Sequence, residues 1–413
     1  MESARLIAGL VRVVRDVGLA EDLAQDALVA ALQQWPESGV PANPGAWLMT
    51  VAKRRAVDHF RRAERLARSQ SELGHGLGIE QESFMSDVDA ALEERIEDDL
   101  LRLMFICCHP VLSTEARVTL TLRLLGGLTT REIARSFLTS EATVAQRIVR
   151  AKRTLGEARA PFEVPGPAER AERLTPVLDV LYLVFNEGYS ATAGDDWMRP
   201  ALCEEALRLG RVLAGLAPTE PEVHGLVALM ELQASRAAAR VGPSGEPILL
   251  LDQDRAHWDQ LLLRRGLRAL ERADALGGEP GPYRLQARIA ACHARARAPE
   301  ETDWGRIAEL YDDLSAVARS PVVELNRAVA LAMAYGPQAG LDLVDQLAGV
   351  PAMQGYHLFP SVRGDLLDKL GRADEARREL ERAASLTQNE RERALLLERA
   401  AAVLARAQGA PPA

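Results

Sequence analysis

Two clusters of basic side chains stand out by type and spacing. Between Trp47 and Arg68 there are seven of them (Lys53, Arg54, Arg55, Arg61, Arg62, Arg65, Arg68) against Asp58 and Glu64. Between Ala116 and Ala160, nine basic residues face three acidic ones. Guanidinium forks match the oxygens of a phosphate and the exposed edge of guanine, so such clusters suit a polyanionic duplex. One charge run alone is ordinarily a solvated helix face. Two, each beside a helical core pattern, point to a common partner. Catalytic chemistry has no comparable signal. The carboxylates of Asp195-Asp196 and Glu204-Glu205 are adjacent in sequence and cannot converge on one point as an acid–base pair. Cys107-Cys108-His109 and Cys292-His293 lack a second C-x-x-C half and read as buried helix residues. Neither G-x-x-x-x-G-K-[ST] nor G-x-S-x-G occurs. No metal site, cofactor or enzymatic activity is expected.

The second cluster sits on a helix-turn-helix pattern. A helix ends at Gly126-Gly127, where glycine supports a left-handed cap. Thr129 or Thr130 then caps a short helix around Glu132-Ile133-Ala134, and Ser140 caps a longer one. Val144, Ile148, Ala151 and Leu155 form one apolar stripe along that longer helix. The opposite face carries Glu141, Thr143, Gln146, Arg147, Arg150 and Arg153. Fourteen residues of helix span about 21 Å, enough to lie in a major groove. Arginine and glutamine supply bidentate base readout there, while Lys152 and Arg153 suit phosphates. The first cluster lies on a helix over 46–62, preceded by a Pro/Gly loop at 36–45 and a helix from Ala20 to Trp35.

These modules belong to a chain of 413 residues, too long for one core. Apolar residues are 47% and charged residues 26%, which excludes general disorder. Aromatics at 4% and the scarcity of alternating runs favour an all-α chain. The net charge of −9 at first argues against an acidic partner. Divided by region, it reverses. Residues 47–68 carry +5 and 116–160 carry +6, whereas 70–99 hold ten acidic residues against Arg95 alone, and 161–413 carry −8. The expected domains are 1–68, an acidic linker 69–95, 96–160, and a helical extension 161–413 that follows the PFEVPGP boundary. Four cysteines in this length fit a reducing compartment. The first residues lack a signal-peptide pattern and no apolar window reaches the length of a membrane span, so a cytoplasmic location without membrane contact is expected.

In the extension, helix-pair starts near Tyr283, Val323 and His357 recur about 35 to 40 residues apart, as in an α-solenoid. The string L-G-R-A-D-E-A-R-R-E-L-E-R-A at 370–383 has the small-residue spacing of a tetratricopeptide (TPR) second helix. Stacked hairpins leave a groove for a protein or peptide partner. Two polar clusters, Asn186-Glu187-Gly188-Tyr189 and Asp252-Gln253-Asp254-Arg255 with Trp258, read either as a ligand pocket or, more in keeping with polar groups between helices, as hydrogen-bonded networks.

The string from Gly18 to Asp26 (G-L-A-E-D-L-A-Q-D), then P-G-A-W-L at 44–48 and V-D-H-F-R-R at 57–62, resembles regions 2.1 to 2.4 of the extracytoplasmic-function (ECF) sigma factors of bacterial RNA polymerase. Residues 129–154 resemble region 4. Leu138 and Ala142 stand where the usual region 4 has glycine, and Arg54 where many relatives have asparagine. Strings such as L-Y-L-V-F-N-E-G-Y-S-A-T (181–192) and P-V-V-E-L-N-R-A-V-A (321–330) resemble the ECF group with a long TPR-like C-terminal extension. The resemblance implies a sigma-2 helical domain, a sigma-4 helix-turn-helix domain and a C-terminal α-solenoid. It implies core RNA polymerase and promoter DNA as partners. Asp22, Gln25 and Asp26 would contact the polymerase; Lys53, Arg54, Arg55, Asp58, Arg61 and Arg62 the −10 element; and Glu141, Thr143, Gln146, Arg147, Arg150 and Arg153 the −35 element. The acidic linker would thread the polymerase's basic RNA channel. Relatives of this group lack the usual membrane anti-sigma partner, and their extension regulates or supports activity. The residues alone also fit a one-component helix-turn-helix regulator with a TPR-like sensor, which would bind an operator without binding core polymerase.

Overall fold

The structure, a computed structural model, describes residues 2–70, 96–137, 139–243 and 245–407. Most of the acidic linker expected over 69–95, and Leu138 in the helix-turn-helix turn, lie outside the described residues. The chain forms two compact units, Met1–Leu181 and Tyr182–Ala413.

The first unit begins with three packed helices: α1 (Glu2–Val14), α2 (Val17–Ser38) and α3 (Pro44–Gln70). Their apolar faces supply a core that includes Leu6, Leu10, Leu23, Ala24, Ala27, Leu48 and Ala52. The Asp16 carboxylate caps α2 by accepting from the Leu19 amide at 2.7 Å. This helix continues past Trp35, its expected end, and takes in Pro36. Proline has no N–H to donate, but the carbonyl it leaves open belongs to exposed Leu32, where water can bond it. The helix then stops at Gly39, whose amide donates to the Trp35 carbonyl and whose φ of +82° favours glycine. After the linker come α4 (Ile96–Cys107), α5 (Thr114–Leu124), α6 (Thr130–Ser136) and α7 (Glu141–Glu157). Helix α4 packs on α1, with Asp99 paired to Arg12 and Arg102. The unit boundary falls within α8 (Pro167–Tyr189).

The second unit is a succession of packed helices. They are α9 (Pro200–Leu216), α10 (Pro221–Ala234), α11 (Gln260–Ala275), α12 (Pro282–Arg295), α13 (Trp304–Val317), α14 (Pro321–Tyr335), α15 (Pro337–Leu347), the single turn α16 (Pro351–Gln354), α17 (Leu358–Lys369), α18 (Ala373–Leu386) and α19 (Glu390–Ala407). Proline opens several of them, where its fixed φ suits the first turn and its missing N–H is not needed. The starts expected near Tyr283, Val323 and His357 fall on α12, α14 and α17. Gly188 lets α8 approach α9: a Cβ there would lie 2.6 Å from the Cys203 amide nitrogen.

The all-α expectation holds apart from an isolated bridge between Val241 and Pro247 and one short ladder among the described residues. Ala193–Gly194 and Gln388–Asn389 pair as a two-residue parallel ladder. The buried Asn389 anchors it. Its amide nitrogen donates to the carbonyls of Ala191 (3.1 Å) and Asp196 (2.9 Å), while its oxygen accepts from the Arg391 and Glu392 amides at the start of α19.

Candidate nucleic-acid and polymerase interfaces

The helix-turn-helix is built by local chemistry. Helix α5 yields to Gly127 at φ +71°. Thr129 and Glu132 then form a reciprocal capping box: the Glu132 carboxylate accepts from the Thr129 amide at 2.7 Å, and the Thr129 hydroxyl accepts from the Glu132 amide at 3.2 Å. Ser140 caps α7 through the Thr143 amide at 3.0 Å. Val144, Ile148, Ala151 and Leu155 are all buried, so the predicted stripe is the core face. Of the six residues expected to read DNA, Glu141, Gln146, Arg150 and Arg153 are exposed, while Thr143 and Arg147 are half-buried. Thr143 is further tied to the Ser140 hydroxyl at 2.8 Å. Val149, 66% exposed beside Arg150, leaves an apolar side chain in solvent on α7. Sequence reasoning passed it over because valine at that spacing reads as core.

On the first basic helix, Arg54, Asp58, Arg61 and Arg62 are exposed, and Lys53 and Arg55 are half-buried. His59 and Phe60 extend the exposed surface with two rings 5.8 Å apart. Trp47 is half-buried and packs on Trp35 at 5.4 Å, which makes it part of the core that holds α3 to α2. On α2, Asp22, Gln25 and Asp26 are exposed together with Val29 and Leu32, forming an acidic and apolar strip. The structure joins two residues expected in separate roles, since Arg55 pairs with Asp26 at 3.1 Å. Asp26 is exposed and Arg55 half-buried, so the pair remains open to water and contributes little to stability.

A second pairing departs from expectation more strongly. Lys152, expected on a phosphate, places its ammonium 2.6 Å from Glu21 on α2. The Arg123 guanidinium meets the other Glu21 oxygen at 2.7 Å, and Gln25 donates to that same oxygen. Glu21 is 3% exposed. A buried carboxylate needs such partners, and here they come from α5 and α7, so the triad fastens the first helical bundle to the helix-turn-helix within the first unit.

The cysteines do no visible chemistry. Burial and the neighbouring Cys108 push the Cys107 thiol well above its ordinary range, and burial lifts Cys108 to about 11. Both stay protonated at neutral pH, unsuited to metal or nucleophilic roles. Among the described residues, no group of three or more His, Cys, Asp or Glu side chains is placed to hold a metal ion. No described helix is long and apolar enough to cross a membrane.

Comparison with known families follows this division. Sigma-70 region 2 matches residues 2–66, and Sigma-70, region 4 matches residues 102–155. The ECF RNA polymerase sigma factor SigK of Mycobacterium ulcerans is 33% identical over 36% of this chain and 77% of its own length. The SigK of Mycobacterium bovis is 31% identical over 37% of this chain and 78% of its own. The chain belongs to the ECF RNA polymerase sigma factors. The sigma factor's remaining length is less familiar. Residues 173–274 match a family of unknown function, DUF6596. A Rhizobium meliloti protein described as uncharacterized, R00370, is 43% identical over 94% of this chain and 91% of its own length, so the similarity runs through the sigma regions and the extension alike. In this sigma factor the helix-turn-helix is region 4, and α1 to α3 are region 2.

Proposed function

We propose that this sigma factor binds core RNA polymerase through the strip of Asp22, Gln25 and Asp26 on α2, then directs initiation by reading two promoter elements. Lys53, Arg54, Arg55, Arg61 and Arg62 engage the −10 element, chiefly through phosphates, with Asp58 on the same surface. Glu141, Thr143, Gln146, Arg147, Arg150 and Arg153 read the −35 element from the major groove. The observation that carries this reading is the pair of exposed basic helices, α3 and α7, each held by its own capped and packed scaffold. The TPR-like extension from residue 161 regulates or supports the process, and its groove takes a protein or peptide.

The Glu21 triad adds a mechanical requirement. Elements centred near −10 and −35 are roughly 25 base pairs apart, about 85 Å at 3.4 Å per pair. Helix α3 packs on α2, and α2 is joined to α7 through an ion pair of 2.6 Å, so α3 and α7 cannot occupy both elements at once. Promoter engagement therefore breaks the triad and frees Lys152 for DNA. The test is reconstituted transcription with purified core enzyme on a promoter library. Initiation at promoters sharing −10 and −35 sequences is expected; a full-length protein that binds DNA but neither core nor start sites sinks the proposal and favours the one-component regulator.

A further inference from the structure

The second unit uses arginine in a repeated way. Arg284, 1% exposed, donates to the carbonyls of Ala273, Gly277 and Gly278, where α11 ends. Arg255 donates to the carbonyls of His293 and Ala296, where α12 ends, and to the Thr302 hydroxyl. Arg240 donates to the carbonyl of Tyr189, the last residue of α8, at 3.1 Å. A guanidinium at a helix C-terminus bonds carbonyls that the helix leaves open and offsets the negative end of its dipole. Each of these three arginines thus has a structural task.

Arg236 has none. Half-buried just after α10, its side chain forms no hydrogen bond and no ion pair among the described residues. Its guanidinium carbon lies 5.9 Å from the Tyr189 ring centre and 5.8 Å from that of Trp258. The same rings carry the neighbouring cations: Arg240 sits 3.8 Å from Tyr189, and Arg255 5.0 Å from Trp258. The three charges disturb one another. Burial and then Arg236 lower the proton affinity of both Arg240 and Arg255.

The hydrogen-bond balance is uneven in the same place. The Tyr189 hydroxyl, the Trp197 and Trp258 indole N–H groups, and the Nε–H groups of Arg240 and Arg255 are buried with no acceptor. Tyr189 and Trp258 are themselves 7% and 4% exposed. The unpaired acceptors in this stretch are fewer, one carboxylate oxygen of Glu231 and the amide oxygens of Gln233 and Gln253. Native interiors leave few polar groups unpaired, and a surplus of donors among clustered cations is complementary to a ligand made of acceptors. The two polar clusters conspicuous in the sequence, around Tyr189 and around Arg255 with Trp258, are the two sides of this arrangement.

We propose that Arg236 anchors an oxyanion-binding site between the Tyr189 and Trp258 clusters, taking the phosphate or carboxylate group of a small molecule. The guanidinium fork can donate two parallel hydrogen bonds to either group. All of these residues lie within the 173–274 stretch that matches a family of unknown function. The proposal does not depend on promoter recognition and is tested without polymerase.

Full-length protein is titrated with inorganic phosphate, adenosine monophosphate and citrate at constant ionic strength, with tryptophan fluorescence and melting temperature as readouts. A saturable change with at least one oxyanion, and none with matched chloride, is expected. Response to the two phosphates alone assigns a phosphate ligand; response to citrate alone assigns a carboxylate. Arg236→Gln should weaken binding at least tenfold while leaving circular dichroism unchanged. Arg236→Lys, which keeps the charge but loses the fork, should fall between the two and serves if the glutamine variant unfolds. A response that follows ionic strength alone, or equal affinity in wild type and both variants, overturns the proposal.

Discussion

The two units use the same side chain for opposite ends. In the first, Arg54, Arg61, Arg62 and Arg150 extend into solvent from helices whose buried faces are apolar. In the second, Arg284, Arg255 and Arg240 are drawn inward, where they close helix C-termini with hydrogen bonds to carbonyls. Residue type and local charge density therefore do not identify a nucleic-acid surface in this protein. The distinguishing property is whether the guanidinium already has an acceptor. An arginine with satisfied donors contributes to stability; one held out to water on a packed helix is available to a phosphate or a base.

The sharpest test of this contrast is to exchange the two kinds of arginine effect. Glu21→Ala should give the largest response, because it leaves Arg123 and Lys152 facing each other without a counter-charge. A loss of about 3–5 kcal/mol in the stability of the first unit is expected, read from denaturant melts, with the distance between labels on α2 and α7 increasing. Arg284→Ala removes a buried guanidinium and its bonds to the carbonyls of Ala273, Gly277 and Gly278, of which that of Ala273 is buried, and should destabilise the second unit by about 3 kcal/mol, again by denaturation, while DNA affinity stays near wild type.

An acid-dependent effect should come next. Burial, together with Arg236 and Arg255, holds His293 down to about 4 from an ordinary 6.5. The unfolded chain then binds this proton more readily than the folded one. Stability is full above about pH 6.5 and falls as pH drops toward 4, by up to about 3 kcal/mol. In a pH series of melts, His293→Phe should flatten that slope.

Smaller effects should come from the exposed arginines, and they should alter binding instead of stability. Arg150→Ala is expected to cost about 1–3 kcal/mol at one position of the −35 element and to relax preference there in a binding-site selection. Arg62→Ala should weaken all promoters alike and reduce the slope of log affinity against log salt by about 0.9. The least effect belongs to Arg153 and Glu157, an exposed pair at 3.5 Å; breaking it should change stability by under about 0.5 kcal/mol. A large stability loss from Arg62→Ala or Arg150→Ala would remove the contrast between the units.

What could be read from the sequence was mostly local. The Thr129–Glu132 box, the Ser140 cap and the Val144-to-Leu155 stripe follow from neighbours within one or two turns, and each is present. The helix starts near Tyr283, Val323 and His357 were legible from their recurrence, and they fall on α12, α14 and α17. Partners distant in the chain were not legible. Glu21 and Arg123 are 102 residues apart, and nothing in helical periodicity says that this acid turns inward while adjacent Asp22 turns out. Lys152 was assigned to phosphates because its spacing suits them, and only packing shows it neutralised. The Asn389 clamp was invisible for the same reason, as were the aromatic neighbours of Arg236.

That clamp has a consequence for synthesis on the ribosome. Ala193 waits for Gln388 to form its ladder, and the carbonyls of Ala191 and Asp196 wait for Asn389. At bacterial elongation rates of roughly 5–20 residues per second, the intervening chain takes about 10–40 s to emerge. The helices proposed to read the promoter emerge long before the extension can close on itself. For that interval the cell holds a nascent sigma factor whose basic helices have emerged ahead of the part proposed to govern them, still tethered where it is made.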